Sequence, residues 1–181
     1  LSSSGGLRSS LNLQNFPKTK EFRKLFLPED GYIFCEADYK TLEIFIESQL
    51  AGRGELEKVL LNNIDMHCNT SVNAINIMDK EILKEFFDDY ELNNIFKDQG
   101  NNKILATYDE FLDYATNDFN LRKNFEKFRK HSKFVNFSSI YNTTKFGLAR
   151  LLKLHPDIAE QFLQAFYNAY PEVKRLIESL I

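Results

Sequence analysis

From Thr41 onward, apolar residues recur every three to four positions, a spacing that predicts helix. "TLEIFIESQLAG" begins the series, with Gly52 as its stop. "GELEKVLLNN" repeats the pattern and closes at Asn62–Asn63, and "IDMHCNTSVNAI" continues it with Asp65 near a helix start. "DKEILKEFFDDYELNNIF" and "TYDEFLDYATNDF" read as amphipathic acidic helices around the loop "DQGNNK". A long helix is predicted from about Asn120 to Ile140. "NTTKFGLARLLKL" follows, then a break at His155–Pro156 and a helix over "DIAEQFLQAFYNAY". Pro171 opens "PEVKRLIESLI" at the first helical position, where its missing N–H costs nothing. Residues 1–30 are rich in turn formers and predict loop, a short strand or turn, and little helix. "YIFCEAD", Tyr32 to Asp38, is a short apolar, aromatic run ending in an acid, which predicts a buried strand with Asp38 emerging at its C-terminal edge. The fold class expected is therefore α+β, predominantly helical.

At 181 residues the chain is about one domain, long enough for a core of its own. No apolar run approaches the roughly 18 residues of a membrane span. "LSSSGGLRSS" lacks the apolar block of a signal peptide, and the absence of a starting Met suggests a piece of a longer chain. Cys35 and Cys68 read as two reduced thiols in an intracellular, reducing compartment, since zinc would need four closely spaced ligands. The net charge of −3 gives no hint of nucleic acid, but its distribution does. Residues 79–118 hold eleven acids and four bases, a local −7, which leaves nineteen bases and fifteen acids elsewhere, +4. The segment about 79–120 is read as an insertion or accessory element. Directly after it come Arg122, Lys123, Lys127, Arg129, Lys130 and Lys133 against Glu126 alone, interleaved with aromatics. A basic run is commonly a solvated face, but aromatic interruption favours phosphate plus base contact.

Three groups carry possible chemistry. Arg129, Lys133, Phe137 and Tyr141 stand at four-residue steps and wind slowly along one helical stripe. Arg offers a planar fork to phosphate oxygens, Lys a point charge, and the two rings flat faces for a base or sugar. An ordinary amphipathic helix with core aromatics would show the same spacing. In "EADYKTLEI", Asp38 stands at a strand tip, where a rigid sheet can aim a carboxylate at Mg²⁺, with Glu43 five residues on. A helix-capping Asp and a solvated Glu would also account for it. In "DMH", Asp65 and His67 are too close in sequence to share a helix face, and a capping Asp beside an incidental His is the plain alternative.

Taken together, these pieces resemble the DNA polymerases of family A, the bacterial polymerase I type. Asp38, Tyr39 and Glu43 in "DYKTLEI" match the first signature of that family, and the Arg129–Lys133–Phe137–Tyr141 spacing matches the second. "NLQN", "DMH", "KFGLARLL" and "YPEVK" match further segments in the right order. The resemblance implies a palm portion over 1–66, carrying the Tyr32–Asp38 strand in a palm sheet. It implies a fingers portion over 67–155 with the nucleotide-binding helix at about 120–141, and C-terminal helices of the same fragment over 156–181. It implies template-directed DNA synthesis, nucleotidyl transfer from dNTP to a primer 3′-hydroxyl through two Mg²⁺ ions. Asp38 would be one of two metal-binding aspartates, helped by the Tyr39 carbonyl. Glu43 would exclude a ribose 2′-hydroxyl. His67, Arg129 and Lys133 would hold the triphosphate, and Phe137 and Tyr141 would stack at the nucleotide. Asn12, Gln14 and Asn15 would touch primer–template DNA. The implied partners are DNA, dNTP and the remainder of the polymerase chain, with no membrane.

The sequence departs from the family pattern in four places. Asn142 replaces a usual Gly, Thr41 replaces a frequent Gln, and the stretch between His67 and Arg129 is longer than usual. The His-Asp-Glu of the third signature, which brings the second aspartate, does not occur, so this stretch by itself is expected to be inactive. Three other readings stay open: a non-catalytic nucleotide- or DNA-binding remnant, a metal-dependent phosphodiesterase using Asp38, Asp65 and His67, and a helical interaction module working through its acidic segment.

Overall fold

The computed structural model describes residues 19–35, 37, 39, 41–96 and 107–180. The chain divides into two units, Leu1–Lys40 and Thr41–Ile181. In the first, the described residues form one helical turn, α1 (Lys20–Arg23), followed by coil. The buried strand and palm sheet expected over Tyr32–Asp38 are not observed: no strand occurs among the described residues, and Tyr32, Ile33 and Phe34 are 71%, 89% and 67% exposed. A strand exists only as a member of a ladder, and with no pairing strand an apolar run has neither hydrogen-bond partners nor a face to cover it. Glu36 and Asp38 lie outside the described residues, as do Asn12, Gln14 and Asn15.

The second unit is helical throughout its described residues. Its elements are α2 (Leu42–Ala51), α3 (Glu55–Leu61), α4 (Met66–Ile77), α5 (Lys80–Leu83), α6 (Asp89–Ile95), α7 (Tyr108–Thr116), α8 (Arg122–Ser139), α9 (Lys145–Leu152), α10 (Pro156–Ala169) and α11 (Pro171–Ser179). Local chemistry fixes several of their starts. Asp88 with Glu91 and Thr107 with Glu110 form capping boxes at α6 and α7. Thr144 accepts from the Gly147 N–H at α9, and Pro156 and Pro171 open α10 and α11. The Asp88 box also divides the "DKEILKEFFDDYELNNIF" stretch. It is two short helices joined by a turn, and the turn directs Phe86 and Phe87 into the core.

Packing centres on α8 and α10. α10 lies against α4, α8 and α9, α8 also lies against α4 and α7, and α11 closes onto α2 and α3. Phe86, Phe87, Phe111, Phe125, Phe128 and Phe162 form an aromatic knot with ring centroids 4.7–6.3 Å apart in tilted and edge-to-face pairs. This knot fastens the first half of α8 to α7 and α10. α8 ends at Ser139, short of Ile140, so Tyr141 stands in the turn beyond it rather than on the helix. Asn142 follows with φ 48°, the left-handed conformation for which Asn substitutes best for Gly. α2 inverts its expected polarity: Ile44, Glu47 and Ser48 are buried, while Leu42, Phe45, Ile46 and Leu50 are exposed.

Candidate functional site

The start of α4 and the middle of α8 meet through polar side chains. Ser71 Oγ donates to Ser132 Oγ at 2.8 Å, and Thr70 Oγ1 donates to Asn136 Oδ1 at 2.9 Å. The Asn136 amide nitrogen lies 2.9 Å from His67 Nδ1 and 3.3 Å from the Met66 carbonyl. That nitrogen can only donate, so Nδ1 of His67 is the acceptor and the ring's proton sits on Nε2. All four of Thr70, Ser71, Ser132 and Asn136 are buried, so the contact is a satisfied polar seam that fixes the register of α4 on α8.

Around this seam stand the charged and aromatic groups of the stripe. Asp65 caps α4: its Oδ1 accepts from the His67 and Cys68 N–H groups at 2.9 and 3.0 Å. Its Oδ2 accepts from Arg129, from Nε at 3.1 Å and from the neighbouring guanidinium nitrogen. Lys133, one turn further along α8, is exposed, with Nζ 5.9 Å from the centroid of the Phe137 ring. The His67 and Phe137 ring centroids are also 5.9 Å apart. His67, Arg129, Lys133 and Phe137 therefore share one neighbourhood at the α4–α8 junction.

The electrostatics follow from that crowding. Burial, with Arg129 and Lys133 adding repulsion and Asp65 opposing, brings His67 down to about 4, so the ring is neutral at pH 7. Burial alone would raise Asp65, but the Arg129 hydrogen bond, the Cys68 N–H and the Arg129 charge outweigh it and leave the carboxyl below its usual range. Burial pushes the Cys68 thiol up to about 12, which removes it as a nucleophile. Cys35 and Cys68 are both free.

Tyr141 is 73% exposed beyond the end of α8. Glu43 is exposed in the first turn of α2. Tyr39, 79% exposed, belongs to the first unit, and Asp38 lies outside the described residues. Among the described residues no three His, Cys, Asp or Glu side chains come together as a metal site would require, and Asp38, the expected ligand, lies outside them. Asp65 is held by a helix cap and an ion pair, which leaves it ill placed to serve a phosphodiesterase. Sequence reasoning missed Asn136 and Tyr108. For Asn136 the signal was present: small polar residues at 132 and 136 on α8 match those at 70 and 71 on α4.

An ion-paired guanidinium, an exposed lysine, a neutral imidazole and a phenyl ring thus stand together on two packed helices. Comparison with known proteins gives the family. The profile of DNA polymerase family A matches residues 1–88 and 81–181, and the chain belongs to that family. It is 24% identical over 177 residues to DNA polymerase I of Caldicellulosiruptor bescii, covering 96% of this chain and 16% of that protein. It is 28% identical over 170 residues to DNA polymerase I of Borreliella burgdorferi, covering 92% and 14%. It is 25% identical over 174 residues to the thermostable DNA polymerase I of Thermus filiformis, covering 94% and 16%. The chain thus spans about one-sixth of the length of these relatives. Among its described residues no helix is long and apolar enough to cross a membrane.

Proposed function

We infer that the chain supplies the nucleotide grip in template-directed DNA synthesis, the transfer of a nucleotide from dNTP to a primer 3′-hydroxyl. The observation that carries this reading is the gathering of His67, Arg129, Lys133 and Phe137 at one helix junction, in a chain of DNA polymerase family A. Arg129 and Lys133 offer fork and point charge to the triphosphate oxygens and neutralise the charge that develops on the departing pyrophosphate. His67, with Nδ1 filled by Asn136, keeps its Nε2–H to donate to a phosphate oxygen without carrying a charge of its own. Phe137 and, beyond α8, Tyr141 offer faces to the base and sugar. Glu43 is the sugar gate, and Asn12, Gln14 and Asn15 are primer–template contacts. A divalent metal belongs to this reading at the family level, with Asp38 and the Tyr39 carbonyl as its expected ligands.

Primer extension by the complete chain that carries this segment, supplied with dNTP or rNTP, tests the reading. The wild type extends with dNTP, and Glu43→Ala raises ribonucleotide use by roughly tenfold or more. Unchanged sugar selectivity rejects the gate. No extension by the wild type replaces the polymerase reading with that of a binding remnant.

A further inference from the structure

The acidic segment between His67 and Arg129 reaches Asp65, the partner of the arginine that the preceding reading assigns to the triphosphate. Tyr108 is the first residue of α7, and its start is fixed by the Thr107–Glu110 capping box. α7 is anchored on α8 by Phe111 and Tyr114 against Phe125, with centroids 5.4 and 5.0 Å apart. From that anchored position the Tyr108 hydroxyl accepts a hydrogen bond from the Asp65 backbone N–H at 2.8 Å. Asp65 is the residue whose Oδ1 caps α4 and whose Oδ2 grips Arg129. Its carboxylate joins two helices, and the main chain that carries it is pinned by a third. The turn it ends contains Asn63 in the left-handed conformation at φ 57° and is tied back to α3 by the Asn63 and Ile64 N–H groups, which donate to the Leu60 and Val59 carbonyls.

We propose that Tyr108 and Asp65 form a positioning pair for Arg129, through which the acidic segment sets the geometry of triphosphate binding. The Asp65 carboxylate occupies the Nε side of the guanidinium and orients the fork, and the Tyr108 hydroxyl holds the Asp65 backbone in register. Neither residue touches the substrate. A guanidinium fixed before nucleotide arrives loses less freedom on binding, so the pair acts on nucleotide affinity and leaves the chemical step alone. The proposal rests on the assignment of Arg129 to the triphosphate.

The test is steady-state nucleotide incorporation by the complete chain, comparing Tyr108→Phe, Asp65→Asn, Arg129→Ala and the Tyr108→Phe/Arg129→Ala double variant. Tyr108→Phe keeps the ring in its packing and removes only the hydroxyl, and Asp65→Asn keeps a good helix cap. The expected result for Tyr108→Phe is a KM for dNTP raised roughly three- to tenfold, the scale of one lost hydrogen bond, with kcat within about twofold. Asp65→Asn raises KM further. In the Arg129→Ala background the Tyr108→Phe effect vanishes, a coupling that a general loosening of the fold would not produce. A Tyr108→Phe KM equal to the wild type, lower than it, or raised equally in both backgrounds overturns the proposal. If Arg129→Ala itself leaves KM unchanged, the nucleotide grip falls and this pairing with it. If Arg129→Ala raises KM and Tyr108→Phe does not, only the positioning pair falls.

Discussion

Glu47 lies on the inner face of α2 at 6% exposure, with Oε2 meeting no hydrogen-bond partner among the described residues. Burial pushes its carboxyl from the ordinary 4.5 up to about 7. The folded state therefore holds a proton that the unfolded chain releases, and the associated stability is fully present below about 4.5 and lost as pH rises through about 7. His67 works in the opposite sense. Its folded value of about 4 lies below the ordinary 6.5, so its contribution is complete above 6.5 and is lost as pH falls through 4. The Glu47→Gln variant separates the two. Urea midpoints at pH 5 and pH 8 should show the wild type losing stability relative to Glu47→Gln on going to pH 8. An identical change in both proteins contradicts a buried, unpaired carboxyl. Nothing in "LEIFIESQL" announces this role, because a Glu among apolar residues reads as the solvated side of the helix. Only the packing of α11 onto α2 reverses it.

At the scale of elements, several helix ends are legible because their signals are local. Asp65, Pro156 and Pro171 mark starts by chemistry contained within a few residues. α3 lacks such a signal. Its N-cap is Gly54, which has no side chain, and the free Leu56 N–H donates instead to Glu172 Oε1 at 2.7 Å, from 116 residues away in α11. Glu172 is 3% exposed, and a Cβ on Gly54 would run into its carboxyl group. Gly54→Ala is therefore expected to displace the cap and destabilise the second unit by about 1–2 kcal/mol, measurable by thermal or urea unfolding. A variant as stable as the wild type contradicts the tertiary cap. The failed strand over Tyr32–Asp38 has the same cause in reverse. Its composition is that of a strand, but a strand's stability lies in its partners, which the sequence of the run does not contain.

For the whole molecule, the stripe along α8 was legible as far as Phe137, because helical spacing is a property of the helix alone. Its last member was not, since the end of α8 at Ser139 leaves Tyr141 in the following turn. The surroundings of the stripe were least visible. Asn136, Tyr108 and the Arg129–Asp65 pair depend on which helix lies against which, and no residue spacing states that. The aromatic knot shows why the acidic segment is integral to the second unit: its Phe86, Phe87 and Phe111 brace the basic half of α8. The central claim is that α8 presents Lys133 and Arg129 to a nucleotide triphosphate beside His67. Its most direct test is the concentration dependence of single-turnover dNTP incorporation on a primer–template by the complete chain carrying Lys133→Ala. A rise of roughly tenfold or more in the apparent dNTP Kd, with primer–template affinity unchanged, is the result expected from removing one charge-assisted phosphate contact. An apparent Kd equal to that of the wild type would contradict it.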